Sequence, residues 1–90
     1  MKETLRQRVI DQTTALFEKV KGYREHLHMY PELSYEEHNT MRYISEQLTL
    51  IGISHETEVA ETGIVAIIRG SQHSESTPCI GLRADIDALP

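Results

Sequence analysis

The chain has 90 residues, 39% of them apolar, enough for one small domain or a piece of a larger one and too many for a wholly disordered polypeptide. Nine Lys and Arg stand against fourteen Asp and Glu, and the net charge of −5 argues against a nucleic-acid binder and against adsorption to an anionic membrane. The longest aliphatic run, Ile64 to Ile68, is too short to span a bilayer, and the single Cys79 excludes an intrachain disulfide and any multi-cysteine zinc site.

Met1-Lys2-Glu3 leads into a charged stretch without the apolar core of a secretory signal, so the expected compartment is the cytoplasm. Leu5, Val9, Thr13, Leu16, Phe17, Val20, Tyr23 and Leu27 then recur at spacings of three and four, which predicts a long helix with one apolar stripe. Gly22 weakens it locally, and Pro31 requires it to stop near Met29 or Tyr30. Ser34 and Glu37 have the spacing of a capping box, and Met41, Ile44, Leu48 and Ile51 form a second apolar stripe. Gly52 follows as a left-handed terminator, so a second helix is expected over 35–51.

Three strands are expected after it. Ile53 to Val59 alternates weakly, as an edge strand would, and Glu61-Thr62-Gly63 is a turn. Ile64 to Ile68 reads as a strand covered on both faces. The polar stretch 70–78 is a loop, and Cys79 to Ala84 is the third strand, followed by Asp85-Ile86-Asp87-Ala88-Leu89-Pro90. Two helices and three strands make the opening of a larger α/β domain, because two helices cover at most one face of such a sheet. The chain then ends just past a strand terminus, where open α/β sheets place their ligands.

Charge is uneven along this order. Residues 1–24 carry six basic and three acidic groups, whereas residues 25–68 carry Arg42 alone against eight glutamates. The glutamate-rich middle is read most simply as a solvated face.

The sharpest chemical feature is Asp85-Ile86-Asp87. Two carboxylates two residues apart share one side of an extended segment and repel unless a cation or proton lies between them. A divalent metal is one solution, and a solvated loop is the plain alternative. Arg83 can hold either carboxylate ionised, or form an ordinary ion pair. His26 and His28 lie in helical sequence, where their spacing points them apart. His38, His55 and His73 read as solvated, and Cys79 as a small buried hydrophobe. Nucleophile-elbow, phosphate-loop and dinucleotide-binding patterns are all missing.

The stretch Tyr23 to Glu37 (YREHLHMYPELSYEE) resembles the opening of the aminoacylase and hippurate-hydrolase family, the metal-dependent N-acyl-amino-acid amidohydrolases. Leu50-Ile51-Gly52-Ile53, Thr62-Gly63-Ile64-Val65-Ala66 and Leu82-Arg83-Ala84-Asp85-Ile86-Asp87-Ala88-Leu89-Pro90 are similar to further motifs of that family, in the same order, over about residues 20–90. The resemblance implies the N-terminal portion of a zinc-exopeptidase-like three-layer catalytic domain, with a dimerisation domain absent from these residues. It implies hydrolysis of an N-acyl-amino-acid amide, with zinc or manganese as cofactor and a glutamate as general base. In the wider superfamily a His-x-Asp pair stands at this strand end. By that analogy Asp87 is expected in a catalytic supporting role, holding a ligand in place, Asp85 near the metal, and Arg83 in support. The other ligands that the resemblance implies, a His-x-Cys-Gly-His segment, a Glu-Glu pair and histidines that all follow the Asp85–Asp87 motif in that family, are not among these 90 residues. The isolated chain is therefore expected to be inactive. The partner is expected to be a small-molecule N-acyl-amino acid, with neither nucleic acid nor membrane. A non-catalytic α/β remnant that binds a partner or merely folds is the alternative, its support the acidic middle and an open sheet edge, and a chain that folds alone is expected to form a homo-oligomer or to be marginally stable.

Overall fold

The computed structural model describes residues 4–90, which divide into two units at Tyr30 and Pro31. The reading of the leader rests partly on Met1 to Glu3, which lie outside the described residues. The first unit is helix α1, Leu5–Met29. Thr4 caps it, extended in backbone, its hydroxyl accepting the Gln7 N–H at 3.0 Å. The helix ends where Pro31 requires, with the Tyr30 N–H donating to the His26 carbonyl. None of its residues is buried, so the apolar stripe predicted from spacing exists as a helix face and is exposed at Leu5, Val9, Leu16, Phe17 and Val20.

The second unit, Pro31–Pro90, holds helix α2 (His38–Ile51) and an antiparallel hairpin of β1 (His55–Val59) and β2 (Gly63–Ala66). Helix α2 starts three residues later than predicted, because residues 33–36 form a turn instead. The Glu36 N–H donates to the Leu33 carbonyl at 2.9 Å, with Tyr35 at φ 64, a left-handed value no helix tolerates. The capping box therefore does not form: the Ser34 hydroxyl donates to Asp87, and Glu37 accepts from Thr62. Glu32 takes over the cap, its carboxylate accepting the Asn39 and Thr40 N–H groups and the Thr40 hydroxyl. A carboxylate there satisfies orphan amides and meets the positive end of the helix dipole. At the other end Gly52 is left-handed (φ 91), and the Gly52 and Ile53 N–H groups both return to Leu48, as predicted for a glycine terminator.

The hairpin pairs His55 with Ala66, Glu56 with Val65 and Val59 with Gly63, so β1 carries one extra residue between Glu56 and Val59. That bulge places Glu58 at φ 59, and the loop beyond it puts Ala60 and Glu61 at φ 49 and 80. Non-glycine residues in this region cost of order 1 kcal/mol each, so the loop needs outside support. The support is the Thr62 hydroxyl, which donates to Glu37 at 3.0 Å with both residues buried. Gly63 is required by contact: a Cβ there would lie 2.6 Å from the Val59 carbonyl oxygen. The His55 ring links the start of β1 to α2, with Nε2 2.7 Å from the Ser45 hydroxyl and Nδ1 2.9 Å from the Ile53 carbonyl.

Three strands were predicted and two form among the described residues. Cys79 to Ala84 carries no strand, and β2 stops at Ala66 instead of Ile68. A strand exists by virtue of a ladder partner, and these apolar residues have none, so Ile80 and Leu82 stand 85% and 95% exposed. The double cover predicted for Ile64 to Ile68 is likewise missing, since Val65, Ile67 and Ile68 are exposed. Among the described residues the buried side chains are Glu37, Thr40 and Thr62, and none is apolar. No helix among the described residues is long and apolar enough to cross a membrane.

Candidate functional site

The residues singled out at the end of the sequence return to the start of the second unit. The Ala88 N–H donates to the Glu32 carbonyl at 2.8 Å, and the Ser34 hydroxyl donates to the Asp87 carboxylate at 3.0 Å. These two bonds close a loop of more than fifty residues onto the 33–36 turn. The result is a cleft of about 360 Å³ whose lining includes Ser34, Tyr35, Thr62, Arg83, Asp85 and Asp87.

The two aspartates are held differently. Asp85 accepts from the Arg83 guanidinium at 2.8 Å in an exposed pair, an interaction of at most about 1 kcal/mol in water. Asp87 takes the Ser34 hydroxyl instead. Arg83 thus pairs with Asp85, one of the two partners open to it from spacing alone. The cleft also borders Glu37 and the strained loop at Ala60. Behind it, partial burial of the Glu32 carboxyl opposes ionisation, but the Thr40 hydroxyl and the Thr40 and Asn39 amides outweigh that and hold it below its usual range.

Among the described residues, no group of three or more His, Cys, Asp or Glu side chains could hold a metal ion. Asp85 and Asp87 alone do not fit a zinc centre, which takes at least three protein ligands. The histidines do not complete one. Within this unit the His55 ring bonds to Ser45 and Ile53 and the His73 ring meets the Gly70 carbonyl at 2.7 Å, and among the described residues no histidine, His38 included, belongs to such a group. Cys79, expected as a buried hydrophobe, is exposed, because the strand that would have buried it is not formed.

Arg83, Asp85 and Asp87 stand out in the sequence, whereas the contacts made by Glu32, Ser34, Glu37 and Thr62 do not. Ser34 and Glu37 were matched to each other by spacing, whereas their partners lie 53 and 25 residues away. No local pattern marks such a partner.

No protein-family model matches the chain, and no solved structure matches it. Curated sequences do, and they are hydrolases. The chain is 40% identical over 97% of its length to the Bacillus subtilis protein YhaA, assigned as an amidohydrolase, and covers 21% of it. It is 44% identical over 86% of its length to the N-acetyl-L-cysteine deacetylase of the same organism, covering 18% of it. It is 39% identical over 82% of its length to the Arabidopsis thaliana IAA-amino acid hydrolase ILR1-like 5, covering 16% of it. By this relatedness the chain belongs to the aminoacylase and hippurate-hydrolase family. It spans about a fifth of the length of these relatives.

Proposed function

We propose that the polypeptide carrying these residues hydrolyses the amide bond of N-acyl-amino acids, and that this segment contributes the Asp85–Asp87 lip of its active site. The observation that carries the reading is the tethering of Asp87: a carboxylate near the chain's end accepts the Ser34 hydroxyl in the lining of a cleft. The names of the relatives add the substrate class, one a deacetylase of N-acetyl-L-cysteine and another a hydrolase of IAA-amino acids. In this proposal Asp87 supports the reaction by orienting a ligand, Asp85 lies near a divalent metal, and Arg83 supports Asp85 by pairing with it. Zinc or manganese belongs to the proposal only with further ligands from outside these 90 residues, since the donors present do not make a site. The cytoplasm remains the proposed compartment.

The test is hydrolysis of N-acetyl-amino acids with Mn²⁺ or Zn²⁺ added. The isolated chain is expected to show no turnover. The complete polypeptide is expected to turn over, with Asp87→Ala lowering kcat by about a hundredfold. Robust turnover by the 90-residue chain, or an unchanged kcat in D87A, sinks the reading. A complete polypeptide inert toward every N-acyl-amino acid would favour the non-catalytic remnant, whose support is the exposed apolar run at Ile80 and Leu82.

A further inference from the structure

We propose that Glu32 and Ser34 are positioning residues for Asp87, acting as a clamp between the start of α2 and the Asp85–Asp87 segment; the proposal rests on the active-site reading above. Three groups of contacts define the clamp. The Glu32 carboxylate is fastened to α2 through the Asn39 amide and the Thr40 amide and hydroxyl. The Glu32 carbonyl holds the Ala88 N–H at 2.8 Å. Two residues on, the Ser34 hydroxyl holds the Asp87 carboxylate at 3.0 Å. One short segment therefore grips the backbone and the side chain of neighbouring residues at once, which limits both the position of Asp87 and the rotation of its carboxylate.

The turn that presents Ser34 is held against a local preference. Its third residue, Tyr35, has φ 64, a value suited to Gly or Asn. Such strain persists only where the surroundings over-determine the backbone, and it gathers where geometry matters to function. Here the Glu36–Leu33 bond closes the turn and Glu32 anchors it, so the unfavourable φ leaves the Ser34 hydroxyl directed at Asp87. The remainder of residues 67–90 lacks helix and strand, and the bonds from Glu32 and Ser34 tie its Asp87 and Ala88 to the start of the unit.

The experiment compares Ser34→Ala and Ser34→Thr in the complete polypeptide, reading kcat and KM on an N-acetyl-amino acid and hydrogen exchange at the Ala88 amide. S34A is expected to lower kcat by about ten- to hundredfold with little change in KM, as loss of a group that orients a ligand does. It is also expected to speed Ala88 exchange by about fivefold, because breaking one grip loosens the other. S34T keeps a hydroxyl and should restore most of both. Unchanged exchange at Ala88, a kcat for S34A within about twofold of the parent, or failure of S34T to rescue overturns the clamp. If the parent hydrolyses no N-acyl-amino acid, the functional reading falls on that result, and the exchange measurements alone decide whether the clamp exists.

Discussion

Residues 31–66 and residues 67–90 belong to one unit and both carry apolar runs, yet only the first folds into regular elements. In residues 31–66, polar side chains close contacts between elements and turns: Glu32 caps α2, Glu37 receives Thr62, and Ser45 meets His55. In residues 67–90, Ile80, Leu82 and Leu89 are exposed, and the long-range bonds are those of Asp87 and Ala88. Apolar content therefore does not decide which region is ordered. A helix satisfies its own backbone and a hairpin supplies its own partner, whereas a lone strand-forming run has neither.

The contrast predicts where substitutions matter. The largest effect on stability should come from Thr62→Val. It removes the hydroxyl that holds the strained hairpin loop and leaves the buried Glu37 carboxylate without that donor. The expected loss is about 2 kcal/mol, read from urea unfolding followed by circular dichroism. Since no apolar residue among the described ones is buried, little hydrophobic stabilisation is present to mask it. A loss below about 0.5 kcal/mol would show that the loop is held by something other than this bond.

A smaller effect attaches to Glu32 and pH. Its carboxyl titrates lower in the folded chain than its ordinary value of 4.5, because hydrogen bonds from Thr40 and Asn39 outweigh the cost of partial burial. The stabilisation it gives is therefore complete above about pH 4.5 and is lost as pH falls through the lower, folded value. Glu32→Gln keeps an acceptor and removes the charge. Its helical signal should fall less steeply with acid below pH 4.5 than the parent's, and the neutral-pH difference should be about 1 kcal/mol, the usual size of a helix cap. Identical acid profiles would show that Glu32 does not cap α2 as an anion.

Much of this was legible in the sequence, and the failures turn on partners that no local pattern reveals. Pro31 placed the end of α1 and Gly52 the end of α2, because each of these is decided within a few residues, whereas the turn expected at Glu61-Thr62-Gly63 falls one residue earlier, at 60–62, with Gly63 opening β2. The capping box at Ser34 and Glu37 failed because both side chains had better partners far along the chain. The third strand failed for the opposite reason, since its pattern presumes a ladder partner that the described residues do not provide. Asp85 and Asp87 stood out as a pair, but nothing local could show that Arg83 would take one and Ser34 the other.

The smallest expected effect is the most direct probe of the comparison. Leu82 is 95% exposed, so Leu82→Ala removes almost no buried surface and should change the stability of the 90-residue chain by less than about 0.5 kcal/mol. Val65, its counterpart in β2, is 47% exposed and pairs with Glu56, so Val65→Ala should cost more. In the complete polypeptide the order should reverse if Leu82 enters a strand covered on both faces, where truncating a leucine costs about 2–5 kcal/mol. Measuring both variants in both contexts separates a segment that never forms a strand from one whose partner lies outside these residues. A Leu82→Ala effect that stays near zero in the complete polypeptide would remove the reason for reading Cys79 to Ala84 as a strand.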